Sequence, residues 1–145
     1  MSKDLLSKKV YSCWGISRAG ASMKRLFDSA LLESGVQVVM GVQGDFIWKK
    51  DEKPQDYALC RTKYPEGVRR DIADIAPEEL GVGVALIMSR QTAMTRDDLL
   101  RETAHLFGFT RMTPALENAL AFGIRAAKLG GKIDFDEEGK IVFVG

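Results

Sequence analysis

Apolar residues recur at helical spacing, three and four apart, over most of the chain, and the breaks between these runs fall at glycines. Leu6, Val10 and Cys13-Trp14 form one such stripe behind Ser2, a good N-cap, and predict a helix over residues 2–13 with an inward Cys13-Trp14 edge. Gly15 ends it, since a left-handed residue is the least strained way to turn the chain. After Ile16-Ser17-Arg18-Ala19-Gly20, a second helix is expected over 21–34, with Met23, Phe27 and Ala30-Leu31 inward. Branched and aromatic residues over 36–40 and 45–48, around Gly41-Val42-Gln43-Gly44, predict a β-hairpin.

The same pattern returns 93 positions later. Trp14-Gly15-Ile16-Ser17-Arg18 recurs as Phe107-Gly108-Phe109-Thr110-Arg111, and the surrounding stripes recur with it. Thr95 aligns with Ser2 as a cap, and Leu99, Thr103 and Leu106-Phe107 repeat the first stripe. A helix over 113–129 places Leu116, Leu120 and Ile124 where Met23, Phe27 and Leu31 stand, and a hairpin over 132–136 and 140–144 follows. Ahead of the second copy, Ala76-Pro77-Glu78-Glu79 starts a further helix reaching about residue 90, with Leu80, Val84, Ile87 and Met88 inward. The first copy has no counterpart of it. Gly81 and Gly83 lack the preceding strand of a nucleotide loop and read as close helix packing.

Helix, glycine turn, helix and hairpin is the order of a winged helix. The expected fold is therefore mainly α with small β-hairpins, an α+β chain of tandem winged-helix units, the first (1–48) truncated and the second (77–145) complete. Residues 49–76 read as a charged connector whose charges pair with Asp56, Glu66, Asp71 and Asp74 or contact a ligand, with Tyr57, Leu59 and Tyr64 available to pin it. Two helices and a hairpin leave apolar surface uncovered. The chain is thus expected to be a fragment, or to have that face covered by a neighbouring part.

Composition narrows the classes. The chain of 145 residues is 46% hydrophobic and 28% charged, as globular proteins are, and no run suits a bilayer span or a signal peptide. A cytoplasmic setting is expected, with Cys13 and Cys60 reduced and Cys13 in the core. The net charge of +1 is unevenly spread: +2 over 1–48, +1 over 49–76 and −2 over 77–145. Arg18, Ser22, Lys24 and Arg25 lie on or just before the helix that would enter a groove, and Arg61, Arg69 and Arg70 make the connector basic; these seven are the candidate nucleic-acid contacts. A solvated helix face explains the first four equally well. Arg18 and Arg111 occupy equivalent places after the two turns, where holding the turn geometry is the preferred role. Phe122 on the outward face of the last helix is the candidate partner contact. Asp134, Asp136, Glu137 and Glu138 on the second hairpin would repel phosphate.

No catalytic constellation, cofactor loop or metal spacing is present in the sequence, and the lone His105 has nothing to select it as a base. Acidic pairs such as Glu78-Glu79 are explained by helix capping.

Gly44-Asp45-Phe46-Ile47-Trp48, then the arginine-bearing connector, then Ile75-Ala76-Pro77-Glu78-Glu79-Leu80 and Leu106-Phe107-Gly108-Phe109-Thr110-Arg111, in this order, resemble an uncharacterised domain. That domain stands at the C-terminal end of large bacterial proteins similar to superfamily I DNA helicases. The resemblance implies an accessory module of an ATP-dependent, nucleic-acid-handling protein, with the motor upstream as a partner within the same polypeptide. Members of that family typically carry an apolar, proline-containing segment with the pattern Glu-Gly-Pro ahead of the first unit; this sequence starts after it, in keeping with the expected fragment. The expected function is noncatalytic nucleic-acid binding or positioning, on DNA. Its rival is a protein-docking module, self-association included, that uses the bare apolar face and Phe122.

Overall fold

The computed structural model describes residues 1–62 and 70–145 and divides into two compact units, Met1–Lys53 and Pro54–Gly145. Among the described residues it is a mixed α+β chain of five α-helices and two small antiparallel hairpins.

In the first unit, α1 (Lys3–Cys13) starts where the Ser2 side chain accepts the Leu5 N–H at 3.1 Å. It ends at Gly15, with φ of 69°, where the Ile16 N–H donates back to Tyr11 O at 2.9 Å. That bond closes the helix end with its carbonyls satisfied. α2 (Ala21–Ser34) follows and stops at left-handed Gly35. β1 (Gln37–Val39) and β2 (Phe46–Trp48) pair with Val38 opposite Ile47. The hairpin is tied to the start of the unit by Lys3 N–H to Asp45 O and Ile47 N–H to Met1 O, both 2.8 Å. Phe27, Leu31, Phe46 and Trp48 are the buried apolar side chains here, and Tyr11 meets Phe27 edge-on.

The second unit begins with 3₁₀ turns at Pro54–Asp56 and Ile72–Asp74 and continues with α3 (Pro77–Met88), α4 (Arg96–Leu106) and α5 (Pro114–Leu129). β3 (Ile133–Phe135) and β4 (Ile141–Phe143) close it. The repeat reaches atomic detail. The Thr95 side chain accepts the Asp98 N–H at 3.2 Å, Gly108 has φ of 83°, and the Phe109 N–H donates to Ala104 O at 2.9 Å, each 93 residues after its counterpart. Met94 and Ile141 exchange two backbone hydrogen bonds of 2.8 and 2.9 Å, tying hairpin to helix start as Met1 and Lys3 do in the first unit.

The units differ in what covers them. α3 lies along α5 so closely that a Cβ on Gly123 would stand 2.6 Å from Leu80 Cβ, and one on Gly83 would stand 2.6 Å from the Phe107 ring. The two glycines of α3 thus serve close packing. Leu80, Val84, Met88, Leu99, Leu120 and Ile141 lie in the resulting core. No helix of the first unit takes the place of α3. Three expectations fail for this reason: Cys13, Trp14 and Ala30, read as inward, are exposed. Their stripe is real, but in the second unit it is buried by a helix that the first does not have.

Candidate interaction surfaces

The cationic candidates of the first unit come to one region. Arg18 sits in the bend between α1 and α2, and Ser22, Lys24 and Arg25 occupy the first turns of α2; all four are exposed. Among the described residues, none of the three cations takes part in an ion pair. Gly20 caps α2 without a side-chain hydrogen bond, and the first turn holds no acid, so the positive end of the helix is open beside them. Asp28, the nearest acid on the helix, is taken by Lys3 at 2.8 Å. Counted over Met1–Lys53, nine basic residues stand against six acidic ones.

The connector arginines are placed differently. Arg61 and Arg70 converge on Glu79, which is 1% exposed in the first turn of α3. Arg70 forms a fork, Nη1 to Oε1 at 2.7 Å and Nη2 to Oε2 at 2.9 Å. Arg61 adds Nη2 to Oε2 at 2.6 Å and its backbone N–H to Oε1 at 3.0 Å. Burial pushes the Glu79 carboxyl up, but the bonds from Arg70 and Arg61 overcome it and hold the group at about 2. Cys60 beside them is pushed up to about 11 by burial and by the Glu79 charge. Among the described residues Glu79, outside the connector, is a carboxylate partner of both arginines, and through it they hold residues 61 and 70 against α3. Arg69, Tyr64 and Glu66 lie outside the described residues. Tyr57 is half-buried and Leu59 exposed.

Glu79 was missed because a first-turn acid ordinarily needs no further explanation. One signal was available: it stands four residues before Gly83, on the edge of the stripe that packs.

Arg18 and Arg111 are both exposed after their turns, and the turns are held by backbone hydrogen bonds instead. Phe122 is half-buried on α5. On the second hairpin, Lys128 pairs with Asp134 at 3.1 Å and Lys140 with Glu138 at 2.8 Å, while Asp136 Oδ1 accepts the Glu138 and Lys140 N–H groups. His105 is exposed in the last turn of α4. Among the described residues no cluster of His, Cys, Asp and Glu would hold a metal ion, and no helix is long and apolar enough to cross a membrane.

Fold and surface together define the class: an α+β chain of two compact units, built on one repeated helix-turn-helix-hairpin order, with an open cationic helix start in the first. No family model, curated protein or solved structure matches the chain.

Proposed function

We propose that the chain is a noncatalytic nucleic-acid-positioning module built of two winged-helix units. The observation that carries this reading is the group Arg18, Lys24 and Arg25, three exposed cations without ion pairs among the described residues, set around the uncapped start of α2. In a winged helix the second helix of the motif approaches the groove, and phosphates are met by cations and helix N-termini around it. The open N–H groups of α2 supply donors, the cations supply charge, and Ser22 supplies a hydroxyl. The turn of the first hairpin, Met40 to Gly44, is uncharged and would rest against the nucleic acid without steering it.

The winged-helix reading draws on the order of elements and on the short bridge that ties each hairpin to the start of the first helix of its helix pair, α1 or α4. Arg61 and Arg70 are left out of the contact set, since Glu79 holds them. The resemblance to C-terminal regions of helicase-like proteins supplies the setting: a motor elsewhere in the same polypeptide would do the ATP-dependent work, and this module would hold the strand or duplex near it.

Fluorescence anisotropy with labelled single-stranded and duplex DNA, between about 50 and 200 mM salt, tests the proposal. Binding should weaken steeply with salt, and Lys24→Ala with Arg25→Ala should reduce the slope of log K against log salt by about 2, since each removed cation leaves one phosphate with its counterions in place. Failure of the unaltered chain to bind either DNA at low ionic strength would sink it.

A further inference from the structure

The repeat allows a comparison within one molecule. In the second unit Phe107 is 2% exposed and Ala119 is 3% exposed, and Gly123 and Ala127 are buried with them. α3 lies on this stripe: Gly83 faces the Phe107 ring, Leu80 faces Gly123, and Gly81 faces Gly123, Ala126 and Ala127. The equivalent residues of the first unit are Trp14, Leu26, Ala30 and Glu33, in the places of Phe107, Ala119, Gly123 and Ala126. Trp14 is 66% exposed and Leu26 57%, and Ala30, one turn beyond Leu26 on α2, is exposed as well. The backbone hydrogen bonds that close α1 at its turn recur 93 residues apart, and Trp14 at that turn and Leu26 and Ala30 on α2 hold the sequence positions whose counterparts α3 covers.

We infer that this face of the first unit binds one amphipathic helix of a partner polypeptide, docked across Trp14, Leu26 and Ala30 as α3 docks across Phe107, Ala119 and Gly123.

Geometry and charge both select the occupant. Exposed apolar positions whose counterparts in the same chain are covered by a helix fit a helix with apolar anchors at i, i+3, i+4 and i+7. An exposed tryptophan beside an exposed leucine supplies the large apolar anchor area found at the centre of interfaces. Ala30 and Leu26 are bulkier than Gly123 and Ala119, so the occupant rides higher than α3 and needs no glycines of its own. Glu33 fringes the stripe, exposed and in no ion pair among the described residues, and no cation lies on the stripe. The partner helix therefore carries lysine or arginine along the edge that passes Glu33. This surface is distinct from the cationic start of α2, and the inference stands whether or not those cations bind nucleic acid.

Two synthetic helical peptides with the same leucine and alanine stripe, one flanked by lysines and one by glutamates, serve as probes on the full chain. Trp14 is the reporter, because Trp48 is already buried and contributes a constant background. The lysine-flanked peptide should shift tryptophan emission to the blue in a saturable way, the glutamate-flanked peptide should bind at least about tenfold more weakly, and Glu33→Lys should reverse that order. Leu26→Glu and Trp14→Phe separate docking from unfolding. Both positions are exposed, so far-UV circular dichroism should be unchanged. Leu26→Glu should weaken binding about tenfold or more, and Trp14→Phe should remove the emission shift. The inference is overturned if neither peptide shifts the emission, or if Leu26→Glu binds as well as the unaltered chain. It is also overturned if phosphatidylglycerol vesicles produce the shift and the peptides do not, or if the chain without peptide self-associates with concentration and buries Trp14 in doing so.

Discussion

Glu79 stands in the first turn of α3, where a carboxylate ordinarily serves the helix dipole from the surface. Here it is inside, and two guanidinium groups follow it in. A buried pair contributes little over a well-packed apolar substitute, but removing one partner leaves an uncompensated charge. Glu79→Gln should therefore destabilise the second unit by about 3 kcal/mol or more, read as a lower urea midpoint by circular dichroism. The pH dependence has a definite sign. The carboxyl is held at about 2 against an ordinary 4.5, so its contribution is full above about pH 4.5 and is lost as pH falls toward 2. A shift of that size corresponds to about 3 kcal/mol. Glu79→Gln should show a flatter acid limb over this range than the unaltered chain. An acid limb of equal steepness in both would mean that other carboxylates carry the loss.

At the scale of elements, α5 and α2 are the same helix put to two uses. α5 keeps Gly123 where α3 crosses it, and the equivalent Ala30 of α2 lies in the open. Gly123→Ala brings two opposed effects: alanine favours the helix by about 1 kcal/mol, while its Cβ would stand 2.6 Å from Leu80 Cβ and 3.2 Å from the Leu80 carbonyl carbon. The second effect involves backbone, which cannot swing aside, and overpacking of this kind costs about 1–3 kcal/mol. The substitution should lower the midpoint of the second unit, as seen by urea unfolding; an unchanged or raised midpoint would show that α3 can move away at little cost. α2 differs from α5 at its start as well. Thr113 accepts the Leu116 N–H at 3.2 Å, and Gly20 has no side chain to do this. The helix start nearest Arg18, Lys24 and Arg25 is thus the one left open.

For the whole molecule, the two units have unequal cores. Among the described residues, four apolar side chains are buried in the first unit, whereas the second gathers residues of three helices and a hairpin around Leu80, Val84 and Met88. A unit of 53 residues with so small a core is marginal. Both tryptophans, Trp14 and Trp48, belong to it, and most of the helix lies in the second. Tryptophan emission should accordingly change at lower urea than far-UV circular dichroism, two transitions in place of one. Coincident curves would mean that the two units unfold as one. A helix docked on Trp14 and Leu26 should move the emission midpoint upward and leave the other in place.

The elements themselves were legible from the sequence. Capping residues, left-handed glycines and three-to-four spacing are local causes, and they placed α1, α2, α4, α5 and both hairpins close to where they stand, along with the glycine contacts of α3. Which face of each helix is buried was not local. Trp14 and Phe107 hold the same place after the same kind of helix, yet one lies in solvent and the other beneath Gly83, because burial depends on whether a distant segment lies over the stripe. The partner of Glu79 was hidden for the same reason: an ion pair between residues 61 and 79 is set by where the chain returns, and charge along the sequence favours nearer partners. The sequence by itself determined the repeated helix-turn-helix-hairpin order. It also showed that the first copy has no helix before it; only the tertiary structure decided which side chains that leaves in solvent, Trp14 and Ala30 among them, and which distant arginines meet Glu79, because both depend on where remote segments of the chain come to lie.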